Sequence, residues 1–324
     1  MSTNIHYDTG IRPQPQGAPD ALKTHTAQHC QPENRPSCLS FPLFLMQPPT
    51  RTVPLPALST NAELVDTHCH LDMSDYEPDL PEVLHKAAKH SVTRIITIGI
   101  DLPSSRTAVA LAERIPSVFA AVGIHPHNAH QATPAALRQL ADLTVNRRVV
   151  GYGEIGLDSV KSYVPREIQM RAFAEQLHLA RELGLPVIIH DREAHEDACR
   201  LIKEAGPFPA GGVMHCFSGD LRLAETMIDL NFLISIPGVV TFANAHTLHE
   251  VVRVLDLRHL LLETDGPYLA PVPCRGKRNE PKLLLLTAQK VADLKQMTVD
   301  DIARTTTANA LRLFQRIRDD HDLR

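Results

Sequence analysis

A chain of 324 residues that is 43% hydrophobic and 22% charged has room for one large domain with a sizeable core, and its composition excludes fibrous and collagen-like classes. Its formal net charge of −4 supplies no global positive field toward nucleic-acid backbones or anionic membranes, so any grip on a polyanion has to be local. No apolar run reaches the about 18 to 20 residues that span a bilayer, and the six cysteines are scattered without a CxxC pair, which fits free thiols and an intracellular, cytoplasmic protein.

Ten of the twenty-five prolines fall in residues 1–60, with no sustained helical or strand period between them. Residues 1–62 therefore read as a disordered, proline-rich extension that lacks the basic start and continuous apolar core of a secretory signal. It is a dispensable tail, the product of an early start codon, or a targeting or partner-binding segment.

From Leu64 onward short apolar runs alternate with amphipathic stretches, and residues 63–318 read as one domain. The runs "LVDTH", "TRIITIG", "SVFAAVG", "RVVGYGE", "PVIIH", "GGVMH", "FLISI" and "HLLLET" give eight strand candidates. Between them helices are expected over 80–89, 103–115, 134–143, 165–183, 193–205, 221–230 and 245–255. In the longest, Met170, Phe173, Leu177 and Ala180 form one stripe, Pro165 suits a first turn, and Gly184 with Pro186 supplies the stop.

Runs such as "RIITIGI" are apolar on consecutive residues, as in strands covered on both faces. Eight βα units over roughly 250 residues match a (β/α)8 TIM barrel. The rival, an open doubly wound sheet, would carry a Gly-rich first turn for a nucleotide, whereas here "HCHLDM" follows the first strand and no GxGxxG is present there.

In such a barrel the strand C-termini and the loops after them converge on one face. Those positions hold His68 and His70, His125 and His127, Glu154, His190, His215 and Asp265. Other histidines, among them His85, His178, His195 and His249, fall in helix candidates and carry no such signal. Imidazole and carboxylate ligands suit zinc, manganese, iron or nickel, and six of them exceed what one tetrahedral ion takes, so two divalent ions are expected. In the HxH of a strand both rings face the same way, with Cys69 turned aside. Glu154 can bridge the two ions, and Asp265 can hold a water and accept its proton.

These residues resemble the TatD-type metal-dependent deoxyribonucleases of the amidohydrolase-like superfamily, through "DTHCHLD", "GIHPH", "GEIGLD", "PVIIHDR", "HCFSG", "ETDGPYL", "RGKRNEP" and "TTTANALRLF", from about Leu64 to Phe314. The resemblance implies His68, His70, Glu154, His190, His215 and Asp265 as metal ligands, the same six that the strand ends select. It further implies His125 at the substrate phosphate as a catalytic helper, with His127 beside it and Arg192 taking part, magnesium-supported activity, and DNA as the substrate. Magnesium, manganese and zinc are then the expected ions. One departure is visible: aromatic residues and an Asp often follow "GLD" in the family, where this chain reads Ser159-Val160-Lys161-Ser162.

The loop "CRGKRNE" brings Arg275, Lys277 and Arg278 after the eighth strand, where barrels often hold phosphates; a solvated basic loop explains any one of them equally well. Cys216, next to His215, reads as a buried small hydrophobe turned away by strand alternation rather than as a nucleophile. The expected function is a 3′–5′ exonuclease acting on 3′ ends or single strands of DNA, with neither a membrane nor an obligate protein partner. A barrel hydrolase of a small amide, ester or phosphate is the alternative, and a non-catalytic metal-binding scaffold a distant third.

Overall fold

The computed structural model describes residues 53–161 and 163–317. The expected extension lies outside the described residues up to residue 52, as do Cys30, Cys38 and Ser162.

The eight apolar runs become β1 (Leu64–Cys69), β2 (Val92–Ile98), β3 (Val118–Val122), β4 (Val149–Asp158), β5 (Val187–Arg192), β6 (Gly212–Met214), β7 (Phe232–Ile236) and β8 (Leu260–Leu262). They pair in chain order, and every neighbouring pair is parallel. A parallel pair needs a crossover between its strands. The crossovers are α1 (Leu80–Lys89), α2 (Leu102–Arg114), α3 (Pro134–Leu143), α4 (Arg166–Leu183), α5 (His195–Ala205), α6 (Leu221–Asp229) and α7 (His246–Val254). Then α8 (Leu284–Lys295) and α9 (Val299–Leu313) follow β8. The fold is the expected (β/α)8 barrel.

Local chemistry sets the helix ends. Asp101 and Ser104 form a reciprocal capping box on α2, and Thr133, Asp220 and Thr298 each accept a backbone N–H at the start of α3, α6 and α9. Pro165 is the N-cap of α4 rather than its first turn, because its ψ of 144° is still extended. Gly184 ends that helix at φ 63°, a left-handed conformation that glycine adopts without steric cost.

The sheet closes through the segment just beyond β8. The backbone N–H of Asp265 donates to the His68 carbonyl at 2.9 Å, and that of His70 donates to Gly266 O at 2.7 Å. Asp66, fully buried, accepts from the Thr264 backbone N–H and hydroxyl on its two oxygens. Thr67 donates to the Leu262 carbonyl of β8 at 2.9 Å and lies 3.3 Å from the Ser235 hydroxyl of β7. The register of β1 on β2 shifts between Asp66 and Cys69, an irregularity that lets Thr67 and then His68 both turn inward despite the two-residue period.

The two ends of the barrel differ sharply in polarity. Its lower interior is a cluster of Val65, Ile96, Phe119, Val150, Ile188, Val213 and Leu261, all from the early or middle part of their strands. Leu313, Phe314 and Ile317, at the end of α9 and just past it, pack into the same cluster. That end is thus plugged with apolar side chains, while the C-terminal end gathers histidines and carboxylates.

From Pro54 onward the described residues belong to one compact unit. Residues 54–62 hold no strand or helix, yet Ala62 is buried and the Ser59 N–H donates to Asp300 Oδ1 at 3.1 Å. Among the described residues, Cys69, Cys199, Cys216 and Cys274 are free thiols, and no helix is long and apolar enough to cross a membrane.

Candidate active site

Glu154 stands at the middle of the polar end. It projects from the long strand β4 and is 2% exposed. Its Oε1 lies 2.7 Å from His190 Nδ1, 3.0 Å from His215 Nε2 and 3.5 Å from His125 Nε2. Its Oε2 lies 3.4 Å from His68 Nε2 and 3.9 Å from His70 Nε2. Asp265 Oδ1 completes the ring of groups, 3.5 Å from His70 and 3.8 Å from His68. The six strand-end residues singled out in the sequence therefore meet in one buried cluster. Asp265 itself sits at φ 55°, a left-handed conformation uncommon for a non-glycine residue and found where structure over-determines the backbone.

The imidazoles are oriented individually. His70 Nδ1 is 3.2 Å from the Ile98 carbonyl, which can only accept, so Nδ1 carries a proton and Nε2 is the nitrogen that faces the cluster, where, against the opposing effect of burial, the Asp265 contact raises the ring's pKa. In His125 the arrangement is reversed. Its Nδ1 accepts the His127 backbone N–H at 3.1 Å, so the neutral ring carries its proton on Nε2, facing Glu154. Burial drives His125 well below the usual imidazole range and keeps it neutral. It therefore presents an N–H donor rather than a lone pair.

Charge is concentrated on the other members. Burial alone would raise the Glu154 carboxyl, but the imidazoles around it, His215 foremost, hold it well below its ordinary value. Burial alone would lower His215 and His190; Glu154 and Glu263 lift His215 well up, and hydrogen bonds to Asp158 and Glu154 bring His190 to about 9. Burial likewise opposes the Asp265 charge, and its contact with His70 outweighs that and keeps it ionised.

Two carboxylates join the cluster that sequence reasoning passed over. Glu263 is fully buried, lies 3.3 Å from His215 Nδ1 and accepts the Cys216 backbone N–H at 2.6 Å. Asp158 accepts from His127 Nε2 at 2.8 Å and faces His190 Nε2 at 3.4 Å. A signal was present for each. Glu263 precedes Asp265 with the same spacing as the HxH, and Asp158 lies four residues beyond Glu154 on the same strand face.

The expected substrate contacts fare unevenly. His125 is inside the cluster, and His127 is at its edge with Nε2 directed to Asp158. Arg192 ends β5 in register with Asp158. Arg275 is exposed, with its guanidinium 4.3 Å over the Phe242 ring. Arg278 departs from the expectation: it forms a two-pronged pair with Asp79 at 2.8 and 2.7 Å, reaches Glu280 at 3.1 Å and lies over Tyr76. Its donors are taken up in joining the β8 loop to the start of α1. Cys216 differs from the expectation: β6 ends at Met214, so alternation does not govern this residue, which stands at φ 45° and is half-buried rather than buried. Burial nonetheless pushes its thiol well up, against activation as a nucleophile.

Comparison with known proteins agrees with this geometry. The sequence profile of the family described as TatD related DNase matches residues 65–315. The chain belongs to the TatD family. The hydrolase YabD of Bacillus subtilis, named as metal-dependent, is 42% identical over 252 residues, covering 78% of this chain and 99% of its own length. YcfH of Escherichia coli K12, also named a metal-dependent hydrolase, is 40% identical over 254 residues, 78% of this chain and 95% of that protein. Among solved structures, the TatD homologue YjjV of E. coli K12 superposes with a TM-score of 0.74 at 33% identity, covering 78% of this chain and 98% of its own.

A TatD-family hydrolase depends on a metal, and the residues here fit one. Buried polar atoms without a hydrogen-bond partner gather at this spot: both ring nitrogens of His68, Nδ1 of His215 and Oε2 of Glu263. Such atoms are costly to bury unless something pairs with them. Two sets bring one ligand atom each within 4.8 Å of one another, His68, His70 and Asp265, and His68, His215 and Glu263; a third, His125, Glu154 and His190, is as close but includes the His125 ring that presents an N–H. Nitrogen and carboxylate donors in this proportion suit divalent cations.

Proposed function

We propose that this TatD-family hydrolase is a deoxyribonuclease that removes nucleotides from the 3′ end of DNA, using two divalent ions drawn from magnesium, manganese and zinc. One observation carries the reading: a single buried carboxylate, Glu154, offers its two oxygens to two separate groups of imidazoles, His190 and His215 on one side and His68 and His70 on the other. A bridging carboxylate of this kind suits a pair of ions rather than one.

In this reading His68, His70, Glu154, His190, His215 and Asp265 hold the ions, with Glu263 as a further carboxylate beside His68 and His215. When bound, the ions supply Lewis acidity and a water of lowered pKa. Asp265 is ionised and accepts the proton of the attacking water. The oxygen of that water bonds to phosphorus, the bond from phosphorus to the 3′ oxygen breaks, the departing oxygen takes a proton from solvent water to leave a 3′ hydroxyl and a 5′-mononucleotide, and Asp265 returns its proton to solvent. His125, neutral and protonated on Nε2, donates to a non-bridging phosphate oxygen as negative charge builds there. His127 acts through Asp158, and Arg192 and Arg275 supply charge for the phosphates. Arg278 serves the fold instead.

The net charge of −4 agrees with a local grip on a few nucleotides rather than a long non-specific footprint, which would need many cations in a stripe. The test is an assay of purified protein loaded in turn with magnesium, manganese or zinc on end-labelled single- and double-stranded DNA, run beside a panel of small esters, amides and phosphomonoesters. Stepwise release of 5′-mononucleotides from the 3′ end is expected. No nucleotide release, with turnover of a panel member instead, would replace this reading with that of a small-molecule hydrolase on the same barrel.

A further inference from the structure

The family resemblance leaves the loop after β4 without its usual aromatic residues, yet the structure places one aromatic there by a different route. Tyr163 is 65% exposed, and among the described residues it is the one aromatic side chain left mostly to solvent. In a chain with only 4% aromatic residues and no tryptophan, a tyrosine left to solvent calls for an explanation. Its ring meets that of His127 edge to face, with centroids 4.9 Å apart.

The tyrosine is held at the mouth by backbone hydrogen bonds and by its neighbour Val164, which packs against Ala129 and Ala172. Asp158 accepts the backbone N–H groups of Val160 and Lys161 on Oδ1, at 2.9 and 2.8 Å, and the Tyr163 N–H donates to the Lys161 carbonyl. The other oxygen of Asp158 receives His127 and faces His190. A single carboxylate thus ties the loop, the His127 ring against which Tyr163 rests, and the catalytic cluster into one unit. Arg275 stands on the loop after β8, four strands away and hence on the opposite side of an eight-stranded mouth. The cation available for a phosphate and the ring available for a base therefore flank the cluster from two sides.

We propose that Tyr163, backed by His127, is the stacking platform for a nucleobase of the strand being trimmed, so that this chain grips the base next to the scissile bond as well as the phosphates. The inference rests on the deoxyribonuclease reading above. Aromatic faces stack on any base, so the grip favours nucleic acid over base-free phosphodiesters without selecting sequence.

The experiment compares wild type, Tyr163→Ala and Tyr163→Phe on single-stranded oligonucleotides whose 3′-terminal residues either carry bases or are abasic. For wild type and Tyr163→Phe, KM rises about tenfold when the bases are removed, with kcat within about twofold. Tyr163→Ala shows the raised KM already on the normal oligonucleotide and no further rise on the abasic one. As a readout independent of turnover, 2-aminopurine at the 3′ end is quenched on binding to wild type and Tyr163→Phe but not to Tyr163→Ala. A Tyr163→Ala protein with wild-type KM and quenching would overturn the proposal, as would a fall in kcat equal on both substrates. Failure of the underlying reading looks different: the wild type would cleave neither oligonucleotide, and the platform would fall with it.

Discussion

The backbone N–H of Asp265 donates to the carbonyl oxygen of His68 at 2.9 Å, so the two ends of the sheet are joined through the same residues that face each other in the cluster. Asp66 reinforces the joint from within by accepting the Thr264 N–H and hydroxyl. The bonds that close the barrel and the contacts that build the site thus share His68 and Asp265.

Replacing Asp66 with Ala strands a buried N–H and a buried hydroxyl. Burial lifts the Asp66 carboxyl to about 7, so the loss is read from the donors left behind: each buried donor without a partner costs about 1–3 kcal/mol, and a loss of roughly 2 kcal/mol or more in urea unfolding is expected. Metal affinity should fall as well, because His68 and Asp265 lose their fixed separation. Asp66→Asn keeps one acceptor and should lose distinctly less. Equal stability of Asp66→Ala and wild type would show that closure does not depend on this carboxylate.

Phe314 is fully buried against the lower barrel interior. Phe314→Ala should cost about 3–5 kcal/mol in denaturant unfolding, since a cavity replaces the largest side chain of the plug. Bound metal and the KM of the folded fraction should remain those of wild type, because the plug and the site occupy opposite ends of the barrel. A loss of metal without a loss of stability would contradict this division.

Both ring nitrogens of His190 face carboxylate oxygens, at 2.7 and 3.4 Å, and its pKa is lifted from 6.5 to about 9 by Asp158 and Glu154 against the opposing effect of burial. In metal-free protein its contribution to stability is complete below pH 6.5 and is lost as pH rises through about 9. A metal must displace that proton. Metal binding at about pH 7.5 should thus release protons, and affinity should climb as pH rises toward 9. Calorimetric titrations in buffers of different ionisation enthalpy measure the release directly; a pH-independent affinity with no proton released would remove His190 from the ligand set.

Arg275 and Arg278 lie three residues apart but should behave oppositely. Arg275→Ala should raise KM for DNA several-fold and flatten its salt dependence by about one phosphate contact, with unfolding unchanged. Arg278→Ala should lower the melting temperature through loss of its pairing with Asp79 and Glu280, with little change in salt dependence. Reversed results would return Arg278 to the phosphate site.

The barrel was legible because each buried strand announces itself as a consecutive apolar run, and helices such as Leu80–Lys89 and Pro134–Leu143 follow their apolar stripes, the second opening on its Thr133 cap. The meeting of His68, His70, Glu154, His190, His215 and Asp265 follows from the rule that strand ends converge. Partners that depend on tertiary detail were hidden. Glu263 and Asp158 were overshadowed by neighbours in their own motifs, and Arg278 looked like any loop cation until Asp79 was seen beside it. The plug was hidden too, since Phe314 in a sequence reads as any apolar residue at the end of a helix.

The most direct test of the account places wild type and Glu154→Gln side by side, with bound metal quantified and 5′-mononucleotide release followed from end-labelled single-stranded DNA. Glutamine keeps the size of the side chain but removes the charge that the two groups of imidazoles share. Wild type should bind two divalent ions and trim the strand from its 3′ end, while Glu154→Gln should fold, hold less metal and lose roughly a thousandfold or more in kcat. Undiminished metal content and undiminished nucleotide release in Glu154→Gln would contradict it.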